Sequence, residues 1–306
     1  MPVSTCCPAW RRRRRDMNES PFLFNIADQQ AVGILHSADH PARLGVLVVV
    51  GGPQYRVGSH RQFLLLARAL AAHGFSTLRF DYRGMGDSDG AARDFETVND
   101  DLRVAIDELI ARTAVEGVVI WGLCDAASAA LMYAHSDPRV AGLILLNPWV
   151  HSQASEAKVR LKSYYLSRLR SREFWHKLLS FNLAWRDTLS SLWGYLRAAA
   201  ARPAATTADD VSVHFIERMR RGWTAWRKPV LLILSGDDLT AAEFRQLLGA
   251  DESWRSLVES PLVTSVNIAP ANHTFARAEW RTEVEGHSCV WMDALQASLS
   301  AQETAV

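Results

Sequence analysis

The stretch GVVIWGLCDAASAALMYA, Gly117 to Ala134, decides the fold. Its first seven residues form a continuous apolar run rich in β-branched side chains, as expected of a strand buried on both faces. The following residues are small and set at helical spacing, with no room between the two patterns for a loop. A strand that turns at once into a helix puts the residue at the turn, Cys124, on a sharp apex. The pattern Gly122-Leu123-Cys124-Asp125-Ala126 is that of a nucleophile elbow, G-x-S-x-G, with cysteine in the serine place and alanine in the last glycine place. Small flanking residues suit this turn because the strand and helix backbones approach closely. The apex also lies at a helix N-terminus, whose partial positive charge is expected to lower the thiol pKa.

Working outward, the same alternation repeats. LFNIADQQAVGILH, within Phe22 to His36, reads as two strands around a polar turn, and GVLVVV (Gly45 to Val50) as a buried strand. HRQFLLLARALAAHG is a helix stopped by Gly74, and FSTLRFDYRG a strand running into a glycine turn. VNDDLRVAIDELIART is an amphipathic helix. VAGLILLNPW, KPVLLILSG (Lys228 to Gly236) and PLVTSVNIAP (Pro261 to Pro270) are further strands, EFRQLLG is a helix between the last two, and EWRTEVEGHSCVWMDALQASL closes the chain as a helix. Strand–helix alternation with strands buried on both faces predicts an α/β protein with a mostly parallel sheet flanked by helices.

Residues 151–227 break the alternation. They hold few β-runs and five tryptophans, Trp175, Trp185, Trp193, Trp223 and Trp226, on a helical period, with ARPAATTADD (Ala201 to Asp210) read as a flexible loop. This is the pattern of a helical cap inserted at the carboxyl ends of the strands, where open α/β sheets bind ligands. The alternative is a bundle packed beside the sheet for stability alone. The core would then be 17–150 and 228–306. Residues 1–16, with five consecutive arginines from Arg11 to Arg15 and no apolar stretch after them, read as a disordered extension before a natural start at Met17.

Composition excludes several classes. A 48 % hydrophobic and 22 % charged chain of 306 residues buries a real core, which excludes disordered and low-complexity classes. The net charge of +1 provides no basic field for nucleic acid. Four cysteines, Cys6, Cys7, Cys124 and Cys289, make no disulfide framework and no zinc spacing. The apolar runs are too short to span a bilayer, so a cytoplasmic protein without stable membrane insertion is expected.

An elbow nucleophile needs a base and a group that orients the base. Asp237 and Asp238 follow the strand LLILSG, and His273 sits in the loop after the next strand, giving the chain order Cys, Asp, His. Asp238 is taken as the orienting acid and Asp237 as the alternative, one of the pair being free to cap the helix at AAEF. Arg83 and Asp81 are read as structural ties between loops, Cys289 as core, and the tryptophans as packing. Arg56 and His60 are read either as an anion contact or as capping and solvated residues.

From Phe22 onward the chain resembles the α/β-hydrolases. FDYRGMGDSDG (Phe80 to Gly90) resembles their F-D-x-R-G-x-G-x-S signature. More closely, VVVGGPQYRVGSHRQF, FDYRGMGDS, WGLCDAASAAL, LLNPWV and LSGDDLTAAEF together resemble the exosortase A system-associated hydrolase 1 group, which accompanies bacterial exopolysaccharide export. The resemblance implies the α/β-hydrolase fold and a Cys124–His273–Asp238 triad. It places an oxyanion hole at Gly51-Gly52-Pro53-Gln54, with the backbone N–H of Asp125 as the second donor. Pro53 has no N–H, so Gly52 or Gln54 must supply the first.

The expected activity is acyl transfer from a small-molecule ester or thioester through an acyl-Cys124 intermediate, with no metal or organic cofactor. Two other activities fit the same residues: an acyltransferase modifying a polysaccharide or lipid intermediate, and a non-catalytic scaffold among exopolysaccharide-pathway proteins.

Overall fold

The computed structural model describes residues 18–52, 54–151 and 207–304. The chain divides into two compact units, one of Met1–Val150 with Glu217–Val306 and one of His151–Ile216. The expected extension at 1–16, Pro53, most of the expected cap, and Trp175, Trp185 and Trp193 lie outside the described residues.

Among the described residues the first unit carries eight strands: β1 (Asn18–Ile26), β2 (Gln29–Ser37), β3 (Leu44–Val49), β4 (Thr77–Asp81), β5 (Gly117–Leu123), β6 (Val140–Leu146), β7 (Val230–Asp237) and β8 (Val263–Asn272). The helices are α1 (Gln62–Ala72), α2 (Asn99–Thr113), α3 (Asp125–Tyr133), α4 (Thr207–Ala225), α5 (Leu239–Ala250), α6 (Glu252–Val258) and α7 (Ala278–Thr304). One sheet holds all eight strands in the order β1-β2-β4-β3-β5-β6-β7-β8. β1–β2 and β2–β4 pair antiparallel, and every other pair is parallel. The expected mostly parallel sheet with flanking helices is therefore the observed one.

Every residue of β3, β4 and β5 is buried, which is why β3 and β5 read as unbroken apolar runs rather than alternating ones; β4 also buries two charged residues, Arg79, which donates to His36 Nε2 at 2.9 Å, and Asp81. Full burial of each Val, Leu or Ile contributes about 1.5–3 kcal/mol, so the centre of the sheet is the most costly place to disturb. α7 closes one face. A Cβ at Gly142 on β6 would lie 2.7 Å from Trp291 and 2.9 Å from Leu295, and Trp121 Nε1 donates to Ser288 Oγ at 3.4 Å. Cys289 is buried in this layer, as expected.

Three local readings change. The segment read as a loop through Asp210 turns helical at Thr207, where α4 begins. Helix α6 was not expected. It is only seven residues long, too short for a periodic signal, and is started by Asp251, whose side chain accepts from the Ser253 amide at 2.8 Å. Trp254 on α6 stacks edge-on with both Trp223 and Phe244 at 6.1 Å, so Trp223 is packing, as expected.

The third concerns the signature FDYRGMGDSDG. Asp81 and Arg83 are structural, as expected, but each ties a different partner. The Arg83 guanidinium grips Asp101 at the start of α2 with two hydrogen bonds of 3.0 and 2.9 Å, and its amide adds a third at 2.9 Å. Asp81 instead accepts from the amide and guanidinium of Arg56, and from the Asp87 amide at 3.2 Å. Arg56 also pairs with Asp87 at 2.7 Å. The arginine considered for anion contact is thus held by internal carboxylates. A Cβ at Gly86 would sit 2.3 Å from Asp81 Oδ2, which is why glycine is required in that turn.

Candidate active site

The apex between β5 and α3 is Cys124, with φ 63 and ψ −124, a backbone region that a non-glycine residue adopts only under local strain. Its neighbours hold it there. The Cys124 amide donates to Leu146 O at 2.8 Å, and its carbonyl accepts from the amides of Ala127 at 3.0 Å and Trp149 at 3.2 Å. The small flanking residues are needed: a Cβ at Gly122 would lie 2.8 Å from the backbone of both Ala126 and Ala127.

The acid and the histidine come from the next two strands. Asp238 follows β7 and lies at the N-terminus of α5; its carboxylate accepts from the amides of Thr240 at 3.3 Å and Ala241 at 3.0 Å. The same carboxylate meets His273 Nδ1 at 3.0 Å. One residue therefore both caps and orients, where two were expected to share the tasks, and Asp237 is exposed at the end of β7. A carboxylate only accepts, so Nδ1 carries the proton and Nε2 is left as the acceptor. Burial raises the Asp238 carboxyl, but the hydrogen bond and charge of His273 and the two helix amides outweigh it, leaving the group below its ordinary range.

Cys124 and His273 line one cleft of about 400 Å³ with Gly51, Gly52, Gln54, Leu123 and Asp125; Phe63, Phe95 and Trp149 add aromatic wall. Gln54 is fixed by its side chain, whose Oε1 accepts from the Ser59 amide at 3.2 Å. Gly52 has φ 61. Its amide donates to Asp125 Oδ2 at 2.8 Å, while Asp125 Oδ1 accepts from the Ala126 amide at 3.0 Å. The loop expected to hold the oxyanion hole is thus clamped to the elbow by a carboxylate. A Cβ at Gly51 would come within 2.0 Å of Asp125 Oδ1, so that clamp needs glycine opposite it. Only the backbone of Asp125 was expected to matter here. Its side-chain role depends on a loop 73 residues away and has no local signature.

Electrostatics at the apex run opposite to the helix-terminus expectation. Burial pushes the Cys124 thiol up to about 12, and the neighbouring Asp125 carboxylate pushes in the same direction. Asp125 is itself raised by burial, against the amides that bond it. The helix N-terminus is too weak to win, because such a dipole is worth about 0.3–1 kcal/mol at ordinary sites. Asp125→Asn is isosteric and removes the charge, keeping one of the two acceptors that the Gly52 and Ala126 amides use. Its thiol should titrate below about 12 and be alkylated by iodoacetamide several-fold faster at mildly alkaline pH. An unchanged rate would mean that burial alone sets the thiol.

Among the described residues, no group of three His, Cys, Asp or Glu side chains is placed to hold a metal ion, and no helix is long and apolar enough to cross a membrane.

The fold matches many solved structures. Esterase Pf2001 from Pyrococcus furiosus superposes with a TM-score of 0.60 at 13 % identity, over 91 % of each chain. The α/β-hydrolase GrgF from Penicillium sp. sh18 gives 0.59 at 16 %, over 92 % of this chain and 99 % of its own. Alpha/beta hydrolase domain-containing protein 10 from mouse gives 0.56 at 14 %, over 90 % and 99 %. At these identities the likeness establishes the α/β-hydrolase fold alone. No curated protein matches the chain. The family model described as serine aminopeptidase, S33, matches residues 43–246, a span from β3 to α5 that holds both Cys124 and Asp238. The chain belongs to that family of hydrolases, with a cysteine at the apex of its elbow.

Proposed function

We propose that the protein cleaves an ester or thioester by covalent catalysis at Cys124. The observation that carries this is the strained apex cysteine sharing one cleft with a histidine whose Nδ1 is held at 3.0 Å by Asp238. His273 Nε2 takes the thiol proton as sulfur bonds to the substrate carbonyl carbon, and the carbonyl electrons move to oxygen. Collapse of that oxyanion expels the alcohol or thiol, which leaves with the proton from His273. Water then attacks the Cys124 acyl thioester with His273 again as base, releasing the acid and restoring the thiol. Asp238 keeps the imidazole in the tautomer that both steps need. The Asp125 amide and a loop donor at Gly52 or Gln54 stabilise the oxyanion; at Gly52 the substrate oxygen must share the amide with the Asp125 carboxylate.

The thiol is protonated at neutral pH, so proton removal by His273 belongs to the attack itself rather than to a standing thiolate. The aromatic wall of Phe63, Phe95 and Trp149 suits an apolar acyl group. Segment 151–227, read from its sequence, would supply the cap. If it excludes water, a sugar or lipid hydroxyl takes the acyl group instead. The resemblance to exosortase-associated hydrolases supports such a substrate in exopolysaccharide assembly.

A non-catalytic scaffold is the second reading, favoured by the Gly52 amide already being bonded to Asp125. Turnover of p-nitrophenyl esters and acyl thioesters, with and without added alcohol acceptors, separates the three. Acid release alone means hydrolysis, and an acylated acceptor means transfer. No turnover and no acyl-enzyme with any substrate would leave the scaffold.

A further inference from the structure

Asn147 ends β6 in a left-handed turn, φ 43, and is fully buried. Its hydrogen-bonding groups reach in three directions. The backbone amide donates to Ile233 O on β7 at 3.1 Å. Side-chain Oδ1 accepts from the Ser235 amide at 2.9 Å. Side-chain Nδ2 donates to Ser235 Oγ at 2.7 Å and, over 3.4 Å, to the carbonyl of His273. The preceding residue, Leu146, accepts the Cys124 amide at 2.8 Å. Ser235 lies three residues before Asp238. The carboxamide therefore joins the segments that bring acid and histidine to the cleft, on a residue whose neighbour Leu146 holds the cysteine.

The place where it does so matters. The β7–β8 ladder loses its regular register between Ser235 and Asp237, just where the sheet would otherwise fix the His273 segment against β7. Asparagine suits this gap for three reasons: it tolerates the left-handed backbone, it offers an acceptor, and it offers a donor on the same short side chain. Glycine would satisfy only the backbone, and aspartate would lack the donor.

We infer that Asn147 is a positioning residue which, by bonding the His273 carbonyl and the end of β7 together, holds the imidazole in register with Asp238 and Cys124. This rests on the proposed function in one respect, that the imidazole so held is the base of acyl transfer. The register itself is readable without any substrate.

The test is proton NMR of the full chain, following the low-field resonance of the imidazole N–H donated to a carboxylate, identified by its loss in His273→Gln. Asn147→Asp keeps the acceptor for the Ser235 amide and removes the donor to His273. Asn147→Gly keeps the turn and removes both. Ser235→Ala, the control, leaves the His273 contact in place. The resonance should weaken or vanish in both Asn147 variants and persist in Ser235→Ala. With a turned-over ester, kcat should fall about 10- to 100-fold with KM little changed, as for a misplaced catalytic group. A wild-type resonance in Asn147→Asp, accompanied only by a lower thermal midpoint, would overturn the inference and leave Asn147 a packing residue. Should Asn147→Gly not fold, the Asp variant decides alone. The resonance does not involve Cys124 chemistry, so a failure of the acyl-enzyme reading would show separately, as a normal resonance pattern with no turnover in wild type.

Discussion

Cys124→Ala should lose about four to six orders of magnitude in kcat/KM toward any ester or thioester the wild type turns over, the range seen when a covalent nucleophile is removed. The loss is large because base and acid are useless without an atom to receive the acyl group. Folding should be little affected. The side chain is only half-buried, and the strained turn is held by backbone hydrogen bonds, donated to Leu146 and accepted from Ala127 and Trp149, that alanine preserves. Cys124→Ser should stand well above Cys124→Ala, since His273 can serve as base for a hydroxyl at the same apex. Steady-state kinetics beside a thermal melt checks both halves. Full activity in Cys124→Ala would move the chemistry to another residue of the cleft.

His273→Ala is the second large effect, and its pH dependence is the sharper part. With the thiol pushed up to about 12, only about one part in 10⁵ is thiolate at pH 7. In the wild type this costs little, because the proton passes to His273 during attack. Without the imidazole, acylation needs preformed thiolate, which is the deprotonated form. The rate should therefore fall about 10²–10⁴-fold near neutrality and then climb about tenfold per pH unit toward the thiol pKa. A His273→Ala rate equal to wild type, or flat with pH, would remove the histidine from the mechanism.

Much of this was legible in the chain itself. Strands β3 and β5 could be read because burial on both faces leaves nothing but apolar side chains, and Gly117–Leu123 is bounded as expected. The elbow was legible because its geometry demands small residues at fixed places, and the acid and histidine because each follows a strand. What escaped the sequence depends on contacts between distant segments. Asp125 looks like an ordinary first-turn acid until its carboxylate is seen bonding the Gly52 amide, and that same carboxylate adds to the burial that turns the expected lowering of the thiol pKa into a rise. Asn147 looks like the end of a strand until a gap in the neighbouring ladder makes its amide the link across three segments. Asp81 and Arg83 lie two residues apart but bond segments far from each other in the chain, so their partners, Arg56 and Asp101, could not be assigned from spacing. Spacing leaves Asp237 and Asp238 to share capping and orienting, whereas Asp238 lies against the imidazole because the residue that caps α5 also turns toward His273.

The most direct test of the central claim is intact-mass spectrometry with peptide mapping, after brief incubation with short p-nitrophenyl esters and acyl thioesters and an acid quench. The proposed mechanism expects one acyl group per chain, mapped to the peptide containing Cys124, absent from Cys124→Ala and slow to leave in His273→Ala. Turnover by the wild type with no adduct at Cys124, or an adduct that persists unchanged in Cys124→Ala, would contradict it.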